Sequence, residues 1–213
     1  MKNLLTLFAG VVSVATLVPS AGLATGKVVT IGAEIIGHSV PWRGMRYDGM
    51  RFQCLWFQRD INYAGYINRV DFKYSSGSTS GAFNNCRVWL CHTTKTSLEA
   101  TFDNNYAGKT PVQVLDTLSL ELRGTEWIDV GISPGKFNYD NRDNLLMEIR
   151  WRGDSGNNIY CKIYNATGGR CYEFNDEAGS GTVYDQGQYI RLHIGTMAAL
   201  EPTSLGRVRA LYR

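Results

Sequence analysis

Apolar and polar residues alternate with a period of two along most of this chain, and no long stretch shows helical periodicity. Arg51 to Phe57 puts Phe52, Cys54 and Trp56 on one side and Gln53, Leu55 and Phe57 on the other. Asn144 to Trp151 sets Leu145, Met147, Ile149 and Trp151 against Leu146, Glu148 and Arg150. Val112 to Leu122 places Val112, Val114, Leu118, Leu120 and Leu122 on one face. Such alternation predicts strands that pack on one side. Further strands are predicted at Val28 to Ile36, Tyr66 to Tyr74, Asn85 to His92, Glu126 to Ile132, Ile159 to Tyr164, Arg170 to Phe174 and Gln188 to Ile194. Turn-forming stretches separate them: Ser75 to Gly81, Ser133-Pro134-Gly135, Asp140 to Asp143 and Gly179 to Gly181. Roughly nine to eleven short strands at this spacing predict an all-β fold, an antiparallel two-sheet β-sandwich. A jelly roll is the first choice of topology and a Greek-key sandwich the second.

The two ends differ from this middle. Lys2 precedes an apolar run, Leu4 to Val18, and small residues follow. That is the pattern of a secretory signal, with cleavage expected after Ala24. The run is shorter than the ~20 residues of a spanning helix, so a membrane anchor is the lesser expectation. One domain is expected from about residue 25 to 195. A tail from 196 to 213 follows, in which Pro202-Thr203-Ser204 starts a short helix with Leu205, Val208 and Leu211 or Tyr212 on one side. A strand donated to a neighbour's sheet edge, or a frayed end, are the other readings of this tail.

Charge narrows the partners. The formal charge is +3 and falls to about +2 when Lys2 leaves with the signal. A nearly neutral chain gives no global argument for nucleic acid.

Asn84-Asn85-Cys86-Arg87-Val88-Trp89-Leu90-Cys91-His92-Thr93-Thr94 resembles a strand of secreted bacterial β-sandwich surface modules, in which an N-N-F-x-I-x-M-x-H-T-T pattern recurs. Thr125-Glu126-Trp127-Ile128, the run from Phe137 to Ile149, and Arg51-Phe52-Gln53-Cys54-Leu55-Trp56 are similar to three further pieces of those modules. The likeness covers about residues 30 to 195 and implies a fold, with no general activity attached. It implies that Cys86, Val88 and Leu90 point inward and that Arg87, Trp89 and Cys91 point away from the core.

Candidate chemistry is sparse. The histidines, His38, His92 and His193, lie in no nucleophile or zinc-protease motif. Glu148 with Asp129 is the best carboxylate pair for glycoside hydrolysis, yet a solvated strand glutamate explains Glu148 as well, and no catalytic residue is assigned. Asp140, Asn141, Asp143 and Asn144 offer oxygens to a structural calcium ion, as do Asn175, Asp176 and Glu177. Turn hydrogen bonding accounts for the same residues. No other cofactor is expected.

Five cysteines lie beyond the signal: Cys54, Cys86, Cys91, Cys161 and Cys171. Cys161 with Cys171, on consecutive predicted strands, is the best candidate disulfide, and Cys54 with Cys86 the second. Cys91 is then a leftover, outward-facing thiol. An outward Trp89 beside Cys91, with Trp127 on a neighbouring strand, suggests a covered or contacting surface. Three covers are open: a loop of the same chain, a sugar ring, or another subunit. Tyr63 and Tyr66 also suit sugar stacking or ordinary packing. The function expected is that of a non-enzymatic, extracellular or cell-surface protein that self-assembles into a layer, fibre or matrix. A carbohydrate-binding module that takes polysaccharide is the alternative, and a glycoside hydrolase the third reading.

Overall fold

The computed structural model describes residues 26–33, 36–38, 40–44, 47–154 and 156–196. The expected signal peptide and the tail side chains Leu205, Val208, Leu211 and Tyr212 lie outside them. The chain is all-β and antiparallel. Its strands are β1 (Lys27–Ile31), β2 (Ile36–His38), β3 (Gly49–Trp56), β4 (Gly65–Gly77), β5 (Ser80–Thr93), β6 (Val112–Arg123), β7 (Trp127–Asp129), β8 (Phe137–Tyr139), β9 (Asn144–Arg152), β10 (Ile159–Glu173), β11 (Thr182–Gln188) and β12 (Ile190–Gly195). A one-turn helix, α1 (Gln58–Ile61), and a short 3-10 helix (Phe102–Tyr106) interrupt them. No described helix is long and apolar enough to cross a membrane.

The hydrogen-bonded order is β1-β12-β4-β10-β3-β9-β5-β6, with β11 and β2 on β10, and β7 and β8 on β4. Most of β4 pairs with β12, β7 and β8. Its last residues, Tyr74 to Gly77, pair instead with β10. One strand therefore hands the ladder from the first group of strands to the second. Val29, Ile67, Phe72, Ile190 and Leu192 from the first group meet Phe52, Trp56, Val88, Met147 and Trp151 from the second in one core. This arrangement is compatible with the expected two-layer sandwich.

Every residue of β3 is buried. Met50, Phe52, Cys54 and Trp56 enter the main core, while Leu55 belongs to a second, smaller core with Cys91, Leu98, Phe102, Leu146 and Cys171. The cause is a covering segment, residues 94–107, laid over the far face of β3, β5 and β9. Its backbone is tied down by Leu98 N–H to Gly168 O at 2.9 Å, Phe102 N–H to Gly179 O at 3.1 Å and Gly181 N–H to Ala100 O at 2.9 Å. Strands covered on both faces read as nearly continuous apolar runs, as Gln53-Cys54-Leu55-Trp56 and Leu145-Leu146-Met147 do.

Several expected boundaries move. The first strand stops at Ile31, where Gly32 turns the chain at φ +112°. The predicted loop Ser75 to Gly81 shrinks to a tight turn between β4 and β5. Only Trp127–Asp129 of Glu126 to Ile132 pairs as a strand. Ile159 to Tyr164 and Arg170 to Phe174 fuse into β10, which carries a bulge between Asn165 and Arg170. β11, rich in polar residues, is new.

Candidate functional site

Glu148, with Asp129, forms the carboxylate pair considered for glycoside hydrolysis. Glu148 is 1% exposed beneath the covering segment. Its oxygens accept from Gln53 Nε2 at 2.6 Å, Tyr106 Oη at 2.6 Å, Arg51 Nη2 at 3.1 Å and Arg150 Nε at 2.5 Å. Arg51 also reaches Asp103 and the Ala178 carbonyl, both at 2.8 Å, and lies over the Phe102 ring at 4.5 Å. The expectation of a solvated Glu148 is corrected: this carboxylate is a buried hub that fastens residues 94–107 to β3 and β9. Asp129 stands on β7, which pairs with β4, and is bound to Arg69 at 3.3 Å. The two carboxylates sit in different strand groups and each is already engaged by arginine.

Cys91 does point away from the main core, as expected, but it is not exposed. It is 1% exposed in the second core. Trp89 is half-buried, with the guanidinium groups of Arg150 and Arg87 at 5.1 and 5.7 Å from its ring. Trp127 is half-buried as well, edge-on to Tyr189 and bracketed by Arg191 at 4.5 Å and Lys73 at 4.9 Å. Trp89 lies on β5 beside β9, and Trp127 on β7 beside β4, so they do not form one surface. The cover over Cys91 is the chain's own, and the aromatic faces of both tryptophans are held by cations.

Neither expected disulfide fits. All five cysteines are free and buried. Cys161 and Cys171 occupy one strand, β10, rather than two, with the Asn165–Arg170 bulge between them. Cys54 faces Met147 and Cys86 lies beyond Arg87, which faces Arg150, so β9 runs between their strands. Two strand spacings of about 4.8 Å already exceed the ~7 Å limit for a bridge. Burial raises every thiol: Cys54 and Cys86 to about 12, Cys91 and Cys171 to about 11, and Cys161 further still. A buried, protonated thiol is a small hydrophobe and a poor nucleophile.

The acidic loops are occupied as turns and ion pairs. Asp140 Oδ1 accepts from the Arg142 backbone N–H at 2.9 Å, while Asn141 takes a left-handed φ of 57° and accepts from Gln58 Nε2. Asp143 pairs with Lys109 at 3.3 Å. Asp176 is bound by Arg152 at 2.8 Å and by Arg87 at 3.4 Å, and Glu177 by Arg87 at 3.5 Å. Among the described residues no three metal-binding side chains of His, Cys, Asp or Glu converge. His92 accepts from the Asp140 backbone N–H at 3.2 Å and stacks on Tyr139, so its role there is structural. Asp71, fully buried, gathers Arg69, Arg191 and His193 at 2.6 to 2.9 Å. Burial opposes its ionised form, but those three donors win and hold the carboxyl below its ordinary range.

Two features had no counterpart in the expected site. The first is the outer edge of β6. This strand ends the hydrogen-bonded order and, among the described residues, pairs with β5 alone. Among the described residues Ser133 N–H meets Val114 O at 2.7 Å, and no further backbone partner covers the edge as far as Arg123. Leu118 is 83% exposed there.

The second feature lies on the face of β10 that carries Arg170 and Tyr172. His38 faces Cys161 across the ladder, far along β10 from Tyr172, yet the His38 and Tyr172 rings are 6.3 Å apart. Gln188 faces Ile163, yet its N–H reaches Cys54 Sγ, the neighbour of Arg170, at 3.4 Å. The strand curls, and inward side chains from both its ends meet. Four rings run through the site: Tyr184 on Tyr172 at 4.7 Å, Tyr172 edge-on to Phe174 at 5.6 Å, and Phe174 on Tyr47 at 3.6 Å. Arg170 stands over the first pair at 5.4 and 5.7 Å, and Arg43 over the last at 5.1 and 5.6 Å. Alternation alone marks Arg170, Tyr172 and Phe174 as sharing a face, but the curl that adds His38 and Gln188 depends on contacts distant in sequence.

No protein-family model matches this chain, and no curated protein matches it.

Proposed function

We propose that this chain is an exported, non-enzymatic interaction protein that associates with further copies of itself edge to edge along β6, as a unit of a surface layer, fibre or matrix. The observation that carries the reading is the long open edge of β6. A row of unpaired N–H and C=O groups is a template for another strand. Natural edges are commonly blunted by lysine, proline, short length or a cover. Residues 112–123 contain neither lysine nor proline and the strand is 12 residues long; its protection is a bulge at Val114 and the charged Asp116, Glu121 and Arg123, and between Asp116 and Glu121 Leu118 stands exposed.

Two β6 edges meeting antiparallel about a two-fold axis make a self-complementary contact, the commonest kind between identical subunits. Each Leu118 covered contributes about 1.5–3 kcal/mol, set against an association cost of about 4–15 kcal/mol. The contact is therefore weak and concentration-dependent. β1, at the opposite end of the strand order, is a second open edge among the described residues, short and begun by Lys27. Extension beyond pairs uses that edge. Export rests on Lys2 and the apolar run 4–18.

The test is sedimentation velocity on the mature chain over a hundredfold concentration range, beside Leu118→Lys and Ser119→Pro. The expected result is association of the native chain, lost in both variants, with Leu118→Lys keeping its melting temperature. A native chain that stays monomeric throughout, or a Leu118→Lys variant that associates equally, overturns the reading.

A further inference from the structure

Arg170 is 1% exposed, and its Nε and Nη1 atoms have no hydrogen-bond partner. Nη2 alone is used, by Gln186 Oε1. Gln188 is fully buried, and both polar atoms of its side chain are unpartnered. The backbone of Gln188 is by contrast engaged, with N–H on Cys54 Sγ and its carbonyl accepting from Trp56 Nε1 at 3.0 Å. The strand is thus fixed while its side chain is left open.

A buried guanidinium that lacks a carboxylate costs several kcal/mol, and natural proteins pair such groups. Among the described residues no carboxylate pairs with Arg170; its guanidinium lies over the Tyr172 and Tyr184 rings, and burial disfavours its charge. The second charge of the site, the half-buried Arg43, is also a cation, and both guanidinium groups act on His38. A buried guanidinium with two unused donor nitrogens, an unpartnered amide and a run of aromatic rings point together to one ligand chemistry. A carboxylate matches the planar guanidinium fork in two parallel hydrogen bonds. The rings suit the flat, apolar face of whatever carries it.

We infer that the Arg170 face of β10 binds a carboxylate-bearing ligand, with Arg170 and Gln188 holding the carboxylate and the Tyr172, Tyr184, Phe174 and Tyr47 rings lying beside it, near His38 and Arg43. The carboxylate comes either from a small organic acid or from a uronic acid residue of a polysaccharide, and the two sources are separable. Nothing in this site touches β6, so it stands or falls apart from self-association.

The experiment titrates the full mature chain with acetate, with trigalacturonate and with neutral maltotriose, followed by calorimetry and by the NMR signals of His38, Tyr172 and Tyr184. Carboxylate binding is expected to shift those signals and to move the His38 titration upward, because a negative charge then offsets Arg170 and Arg43. Acetate binding as tightly as trigalacturonate marks the organic-acid source; trigalacturonate binding at least tenfold tighter marks the uronic acid. Arg170→Gln is expected to weaken binding at least tenfold, and the half-buried Arg43→Ala severalfold without loss of fold. Maltotriose bound equally well, binding retained in folded Arg170→Gln, or no response to either acid overturns the inference.

Discussion

Tyr106 Oη donates a 2.6 Å hydrogen bond to Glu148 Oε2, and through it the 3-10 helix of the covering segment is joined to the middle of β9. Burial and the neighbouring carboxylate together push the tyrosine hydroxyl well above its ordinary range, so it stays a donor. Hydrogen bonds to charged groups are worth about 1.5–3 kcal/mol.

Tyr106→Phe removes that donor and keeps the ring. The expected loss is about 1.5–3 kcal/mol by denaturant titration, with faster amide exchange confined to residues 94–107. Glu148→Ala leaves Arg51 and Arg150 without their carboxylate and is expected to cost more, about 3–5 kcal/mol. A Tyr106→Phe chain as stable and as protected as the native one would show that the segment is held by Leu98 and Phe102 packing alone.

The thiols yield a second expectation. Their burial keeps them protonated, so a thiol reagent should find almost none of the five in the native chain at pH 8 and all of them in guanidinium. The native chain should migrate identically with and without reductant. Prompt reaction of one thiol without denaturant would point to Cys91 or Cys171, which lie beneath the covering segment.

Much of this was written in local pattern. The faces of β3 and β9 follow from alternation, and those of β5, with Cys91 away from the main core, are what the resemblance of residues 84–94 implies. The burial of Cys91 is not legible there, because assigning a side chain to a face says nothing of what lies over that face. Residues 94–107 have little periodicity, yet they turn a solvent face into a second core through Leu98 and Phe102. The cysteine pairing failed for a related reason. Thr167-Gly168-Gly169 looks like a turn between two strands, whereas it is a bulge inside β10 whose Gly168 N–H is held by Asp185 at 2.8 Å. The enclave around Arg170 depends on the curl of that strand, which no short stretch of sequence encodes.

Acid should expose that enclave. His38 is lowered from 6.5 to about 4, chiefly by burial and then by Arg170 and Arg43. The unfolded chain therefore binds the proton first, and between about pH 6.5 and 4 its affinity for protons exceeds that of the fold. Stability should fall as pH drops through this window, with a slope of at most about 1.4 kcal/mol per pH unit from this residue. Asp71, held below its ordinary range, adds its loss only at still lower pH. Denaturant midpoints at pH 7, 5.5 and 4.5 for the native chain and His38→Gln measure the share due to His38. A variant whose midpoints fall in parallel with the native chain over that range would remove His38 as the cause.

The last expectation concerns Gly168, which sits at φ +55° under the covering segment. A β-carbon there would collide with the side chain of Ser97, beside the Leu98 N–H that bonds to Gly168 O. Gly168→Ala thus adds both backbone strain and a clash, and each is worth about 1–3 kcal/mol. The double variant with Ser97→Gly separates them. Relief of the clash should return part of the loss and leave the backbone share. If Gly168→Ala alone leaves the denaturant midpoint unchanged, the bulge and the segment over it are not packed as tightly as the contacts of Gly168 require.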